Sequence, residues 1–258
     1  MDGGKGKGRR VKRKQVLGED GWTVVSGTGS NASPEDSRAR DARPTRIVDG
    51  LTVQKLASEF KHLEKRWQRT TCARTLENML SLKDWKVEQA VCIGVGSFSV
   101  DWEHRWRSLW QLVLFVAVVK ILQQHDPSIQ LYVQEPAFSP LDIEFLGTLS
   151  MATPATRIET QITPTSFVFA PFVDWYILMP IFLKNKDPEL YIGNDILKDY
   201  KIYANTEEKK SMLEESNGVG EKFVMGREKR RIPSFEEHRS ALEGLMIYWK
   251  EDVGEDEE

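Results

Sequence analysis

Hydrophobic positions change their period along the chain, and the changes mark out elements. Leu56, Phe60, Leu63 and Trp67 recur at spacings of four, three and four, which predicts one face of a helix. Leu76, Met79 and Leu80 extend the apolar face after a phase slip at Thr70-Thr71, so one long helix or two short ones fits. Ala90-Val91-Cys92-Ile93 is a short apolar run closed by Gly94-Val95-Gly96-Ser97, the pattern of a buried strand and a tight turn. Residues 105–124 are apolar almost all round, which predicts a largely buried helix, stopped by His125-Asp126-Pro127.

The alternation continues. Ile129–Gln134 reads as a second strand, and Pro140 suits the first turn of a helix over Leu141–Leu149. Arg157–Ile162 is expected as a third strand, Ser166–Ala170 as a fourth closed by Pro171, and Leu190–Ile192 as a fifth. A helix is expected around Asp174–Lys184 in spite of Pro180. Residues 204–221 are polar and read as a loop. Pro233–Lys250 reads as a last amphipathic helix with Phe235, Leu242, Leu245, Met246 and Trp249 on one side. Strands alternating with helices predict an α/β fold, a Rossmann-like, doubly wound, mostly parallel sheet with flanking helices.

Composition divides the chain. Residues 1–46 hold few large apolar groups and are expected to be a disordered basic N-terminal arm. Residues 47–250 form the α/β domain, and 251–258 an acidic C-terminal tail. Residues 1–14 carry a net charge of +6 and residues 251–258 a net charge of −6, so the overall −3 conceals two opposite ends on a near-neutral body. The run Arg9–Lys14 suits a nuclear import signal or a nucleic-acid patch, and Trp22-Thr23-Val24-Val25 is an island of strand-forming residues. The body is not basic, so specific nucleic-acid binding is not expected; the arm alone would give salt-sensitive, nonspecific contact.

Other classes drop out. Cys72 and Cys92 build no disulfide framework, and no CxxC or HExxH spacing offers a metal site. The longest apolar stretch, Leu109–Leu122, is shorter than the roughly 20 residues a bilayer needs. The first residues are polar and basic without an apolar run behind them, unlike a secretory signal. The expectation is an intracellular, soluble protein of the cytoplasm and/or nucleus.

Ligands of such a sheet bind at the carboxyl ends of its strands. Gly94-x-Gly96-Ser97 lies there, where glycines allow close backbone approach and a following helix aims N–H groups at an anion. Glu135 ends the second strand, where an acid can bond ribose hydroxyls in dinucleotide and S-adenosylmethionine folds. Gly193-Asn194-Asp195 follows a late strand and suits a ligand contact or a turn. Each has a plain structural alternative: packing glycines, a proline-set turn, a β-turn. Asp101, Glu103 and His104 lie close together on a loop beside Trp102 and Trp106, but no nucleophile–base pair shows in the spacing. No catalytic or metal-ligating residue is assigned.

Taken in order, these segments resemble a known family. Cys92-Ile93-Gly94-Val95-Gly96-Ser97, a long apolar helix, and then Glu135-Pro136-Ala137-Phe138-Ser139-Pro140-Leu141-Asp142 are similar to the strand-turn and the D-P-x-F-S-x-x-D segment of the sensitivity-to-red-light-reduced (SRR-like) family. Glu135 stands for the family Asp, while Pro136, Phe138, Ser139 and Asp142 match. Ser166–Pro171, Tyr176, Asn185 and Ile192-Gly193-Asn194 resemble later family segments, with Asp195 in place of Ser. The family usually has Pro-His-Cys after the fourth strand; this chain has Pro171-Phe172-Val173.

The resemblance implies a non-enzymatic regulatory protein with protein partners, acting in signalling, circadian timing or transcriptional and haem-linked control. It also singles out Phe138, Ser139 and Asp142 beside Gly94, Gly96, Ser97, Glu135, Gly193 and Asn194 as site residues. The alternative is an enzyme or sensor with a nucleotide-type cofactor, S-adenosylmethionine or a dinucleotide, at Gly94, Gly96 and Glu135. Neither reading involves a membrane.

Overall fold

The computed structural model describes residues 13–17, 23–27, 45–124 and 126–251. The chain divides into two units, Met1–Pro44 and Thr45–Glu258. In the first, strands β1 (Arg13–Leu17) and β2 (Thr23–Gly27) pair antiparallel, Arg13 opposite Gly27 and Leu17 opposite Thr23. The second strand takes in Thr23-Val24-Val25 of the strand-forming island. Apart from Thr45 and Arg46, the rest of the arm expected to be disordered, including most of the basic run, lies outside the described residues, as does the tail beyond Glu251.

The second unit opens with two helices, α1 (Val53–Trp67) and α2 (Thr71–Leu80). The phase slip is a real break. Thr52 caps α1 by accepting from the Lys55 amide, and Thr70 caps α2 by accepting from the Ala73 amide at 3.1 Å. Leu56, Phe60, Leu63 and Trp67 of α1 and Cys72, Leu76 and Leu80 of α2 are buried. Each large apolar side chain so buried contributes about 1.5–3 kcal/mol.

Strand β3 (Gln89–Ile93) leads through the glycine turn to α3 (Arg105–Leu122), then β4 (Gln130–Gln134) and α4 (Pro140–Thr148). Strand β5 (Ser166–Ala170) is followed by the short helix α5 (Trp175–Ile177), which widens into a π-helix over Leu178–Leu183. Pro180 lies within that π-helical turn, where its missing N–H removes one donor from the regular ladder. Then come β6 (Leu190–Gly193), α6 (Glu207–Ser211), α7 (Leu213–Val224), β7 (Arg227–Arg231), α8 (Arg239–Leu242) and β8 (Met246–Lys250).

The six-stranded sheet has the order β4-β3-β5-β6-β8-β7. β4, β3, β5 and β6 run parallel; β8 is antiparallel to both β6 and β7. Strand β3 is the inner neighbour of the edge strand β4, with Cys92 opposite Val133 of β4 and Phe169 of β5. All of β5 and β6 is buried, the unbroken apolar pattern of strands covered on both faces. Ala90 and Cys92 join the core built with α1, α2 and α3. On the opposite face Phe223 of α7 packs edge-on to Tyr191 of β6 and Tyr248 of β8, at 5.5 and 5.9 Å between ring centres. The arrangement is the expected α/β, doubly wound, Rossmann-like one, with a mixed sheet.

Three expected elements differ. Arg157–Ile162 is no strand; Ile158–Gln161 forms a 3₁₀ turn, and Arg157 takes a left-handed φ of 62°. Ile158 and Ile162 are buried but Thr160 between them is exposed, so the alternation a half-buried strand needs is missing. Residues 204–221 are largely helical. Thr206 caps α6, and the face α7 buries is Ser216, Gly220 and Phe223, too poor in large apolar groups to register as a helical stripe. Pro233–Lys250 is not one helix: Gly244, at φ 84°, separates α8 from β8, and Met246–Lys250 inserts into the sheet. Phe235, Leu242, Leu245 and Met246 are buried as expected, although they do not share a helix. No helix among the described residues is long and apolar enough to cross a membrane.

Candidate functional site

The strand order reverses between β3 and β5, so the crevice outside their carboxyl ends is where a doubly wound sheet offers a binding site. The turn after β3 is built on two glycines with positive φ, 70° at Gly94 and 79° at Gly96. The Gly94 amide donates to the Gln134 carbonyl at 3.1 Å, stitching the turn to β4. A Cβ on Gly96 would fall 2.5 Å from Ser108 Oγ and 2.8 Å from Trp102 Cζ2. Gly96 therefore admits the Trp102 indole and the first turn of α3. Trp102 is held there, its Nε1 donating to the Ser97 carbonyl at 3.1 Å.

Glu135 faces this turn from the end of β4. Its Oε2 accepts from the Gly96 amide at 3.0 Å and its Oε1 from the Ala137 amide at 2.9 Å. Asp142, in the first turn of α4, is fully buried and accepts from Ser97 Oγ at 2.6 Å, the Phe98 amide at 3.1 Å and the Ser139 amide at 2.8 Å. Ser139 returns the contact by accepting from the Asp142 amide at 3.2 Å, completing a capping box. Ser99 Oγ and Ser139 Oγ lie 2.7 Å apart, and Phe138 packs on Phe98 with ring centres 5.4 Å apart. The structure thus brings Gly94, Gly96, Ser97, Glu135, Phe138, Ser139 and Asp142 together as one clamp between the β3 turn and the start of α4. Ser139-x-x-Asp142 ahead of an apolar run is the sequence signature that announces this role.

Gly193 and Asn194 sit on the same edge of the sheet, with β5 between them and the β3 turn. A Cβ on Gly193 would lie 2.5 Å from the Ala170 carbonyl oxygen, so this glycine allows two strand ends to approach. Asn194 Nδ2 donates to the Val173 carbonyl at 2.8 Å. Asp195 accepts from Tyr248 Oη and pairs with Lys229 Nζ at 2.7 Å. Burial raises the Tyr248 hydroxyl pKa, and its bond to Asp195 raises it further.

The loop replacing the family's Pro-His-Cys holds Phe172 at φ 57°, left-handed backbone that costs a side-chain-bearing residue about 1–2 kcal/mol. Val173 is buried, while Phe172 is 40 % exposed. The Arg107 guanidinium lies over the Phe172 ring, 5.2 Å from its centre. Sequence reasoning marked Phe172 as a departure from the family pattern but passed over Arg107 and Ser108; only the tertiary fold brings the first turn of α3 beside these strand ends.

Neither thiol is poised to react. Cys72 Sγ donates to the Pro233 carbonyl, and burial pushes its pKa up to about 12. Burial also raises Cys92, with the Glu135 charge adding to the effect. His104 is lowered by burial and by Arg107, against the opposing pull of Glu103, whose carboxylate lies 3.1 Å from its Nε2. No group of three or more His, Cys, Asp or Glu among the described residues could hold a metal ion. A groove of about 730 Å³ lies between Leu183–Asp187 and α7, lined by none of the clamp residues.

Residues 56–249, most of the second unit, match the SRR1 domain family. The chain belongs to that family. No curated protein matches it. Among solved structures, a putative O-methyltransferase from Klebsiella pneumoniae is 8% identical over 76% of this chain and 90% of its own, with a TM-score of 0.39. Cofactor-bound Rv0187 from MTB is 9% identical over 86% of this chain and 99% of its own, at 0.35. M. jannaschii TYW2 in complex with AdoMet is 12% identical over 70% of this chain and 76% of its own, at 0.32. At identities and scores this low the likeness decides nothing about this SRR1 domain's activity.

Proposed function

We propose that this SRR1 domain protein is a non-catalytic regulatory module of the cytoplasm or nucleus that works through protein partners in signalling, circadian or transcriptional and haem-linked control. The observation that carries the reading is the clamp. Glu135 and Asp142 direct their carboxylate oxygens at backbone amides and a serine hydroxyl of the same chain, so neither is placed to move a proton on a substrate. The test compares the full chain with a Glu135→Gln variant. The reading predicts that captured protein partners persist in the variant and that no substrate turns over in either form. Turnover of a defined substrate, lost in Glu135→Gln at a temperature where the variant remains folded, overturns it.

One observation favours a second reading, a sensor or enzyme for S-adenosylmethionine or a dinucleotide. The Gly94–Gly96 turn stands at the reversal of strand order, beside the start of a long helix. A thermal-shift panel of S-adenosylmethionine, S-adenosylhomocysteine, NAD, NADP, ATP, FAD and haem separates the two. A rise of several degrees with S-adenosylmethionine or S-adenosylhomocysteine, or with one dinucleotide and not with ATP, supports the sensor; no such rise supports the regulatory module.

A further inference from the structure

The clamp leaves almost no polar group unmatched, yet one turn of helix away the accounting fails. Ser108 is 1 % exposed, and its Oγ has no hydrogen-bond partner. It points at Gly96, whose added Cβ would meet it at 2.5 Å. Arg107 Nε is likewise buried without a partner. An unmatched buried donor costs about 1–3 kcal/mol, more beside a charge, so two on successive residues call for an explanation.

Their surroundings point to an anion. Both residues lie in the first turn of α3, an 18-residue helix whose N-terminus carries partial positive charge. His104, at its N-cap, makes no side-chain cap bond. No carboxylate among the described residues forms an ion pair with Arg107; the nearby Glu103 is paired with His104. The Arg107 guanidinium lies 5.2 Å from the ring centre of Phe172, whose left-handed backbone sets that ring at the end of β5. The Arg105 amide donates to the Trp102 carbonyl at 3.2 Å and the Ser108 amide to the His104 carbonyl at 3.0 Å, which leaves the Trp106 and Arg107 amides at the helix start. With a guanidinium fork and a buried hydroxyl they form a donor set for a tetrahedral oxyanion.

We propose that the crevice between the ends of β3 and β5 binds a phosphate group, with the Arg107 guanidinium, the Ser108 hydroxyl and the amides of Trp106 and Arg107 as its donors. The phosphate is free inorganic phosphate or that of a small phosphorylated molecule. Trp102 and Phe172 wall the crevice, and Glu103 tempers its charge. This goes beyond the regulatory reading, because it requires neither turnover nor a protein partner.

The test is thermal unfolding of the full chain titrated with inorganic phosphate, adenosine monophosphate or citrate, against sodium chloride at matched ionic strength. The proposal expects a saturable rise in melting temperature with inorganic phosphate, with adenosine monophosphate, or with both. A response to adenosine monophosphate alone identifies the ligand as a phosphorylated molecule. Arg107→Gln should weaken the apparent affinity about ten- to a hundredfold, and Ser108→Ala about threefold to tenfold. Glu103→Gln should tighten it several-fold, a change of sign that a purely structural role for Arg107 does not produce. Should Arg107→Gln fail to fold, Arg107→Lys keeps the charge without the fork and should also bind about tenfold more weakly. No saturable rise over chloride, a response to citrate alone, or equal affinity in the Arg107 and Glu103 variants overturns the proposal.

Discussion

Two neighbouring regions of this SRR1 domain treat polar groups in opposite ways. In the clamp, Asp142 is fully buried and meets three donors, Ser99 Oγ meets Ser139 Oγ, and Glu135 accepts from the Gly96 and Ala137 amides. At the first turn of α3, Ser108 Oγ and Arg107 Nε are buried and meet nothing. Low dielectric strengthens a satisfied network and penalises an unsatisfied group. The contrast therefore separates residues that hold the fold from residues available to something outside it. Motif residues that look like a ligand site in sequence belong to the first class; the second class lies in a helix that reads as plain core.

The largest effect should come from breaking the clamp at its centre. Asp142→Ala leaves Ser97 Oγ and the amides of Phe98 and Ser139 without an acceptor and should cost about 3–5 kcal/mol in denaturant unfolding. A loss under 1 kcal/mol would deny the clamp its structural role. Next, Gly96→Ala should cost about 2–3 kcal/mol, because the residue has a positive φ and its Cβ would strike Ser108 and Trp102. This makes a bulky residue at Gly96 a poor probe of ligand binding, since it perturbs the fold directly.

Smaller effects sharpen the comparison. Glu135→Gln keeps one carbonyl acceptor but turns the other oxygen into a donor facing an amide, so a loss of about 1 kcal/mol is expected in the same measurement. Arg107→Met should leave stability within about 0.5 kcal/mol of the parent, because the lost contact with Phe172 is offset by removing a desolvated donor. A loss near that of Asp142→Ala would erase the distinction between the two regions.

Much of the fold is legible in the sequence because strong periods and chain breakers coincide with real elements. The stripe Leu56, Phe60, Leu63 and Trp67, the run after Ala90, and Ser166–Ala170 all form the expected elements. The C-terminal part is not legible, and the reasons are physical. Helix α7 buries Ser216 and Gly220, which carry little hydrophobic signal. Strand β8 follows a helical turn across Gly244 at φ 84°, so its apolar residues merge with those of α8 into one false period. In the site, the order and spacing of Gly94, Gly96, Glu135, Ser139 and Asp142 are visible, but their partners are not. Hydrogen bonds 39 to 45 residues apart in sequence decide that these groups serve one another. Arg107 and Ser108 escape notice for the converse reason: nothing in a helical sequence marks a donor that finds no acceptor.

The central claim, that the polar residues between the β3 turn and the start of α4 are a clamp closed by the chain itself, is tested most directly by amide hydrogen exchange of the ligand-free protein. The account predicts that the amides of Gly96, Phe98, Ser139 and Asp142 exchange as slowly as those of β3, opening only with global unfolding. Fast exchange at Gly96 and Phe98 in an otherwise protected domain would contradict it, showing that these donors wait for a ligand.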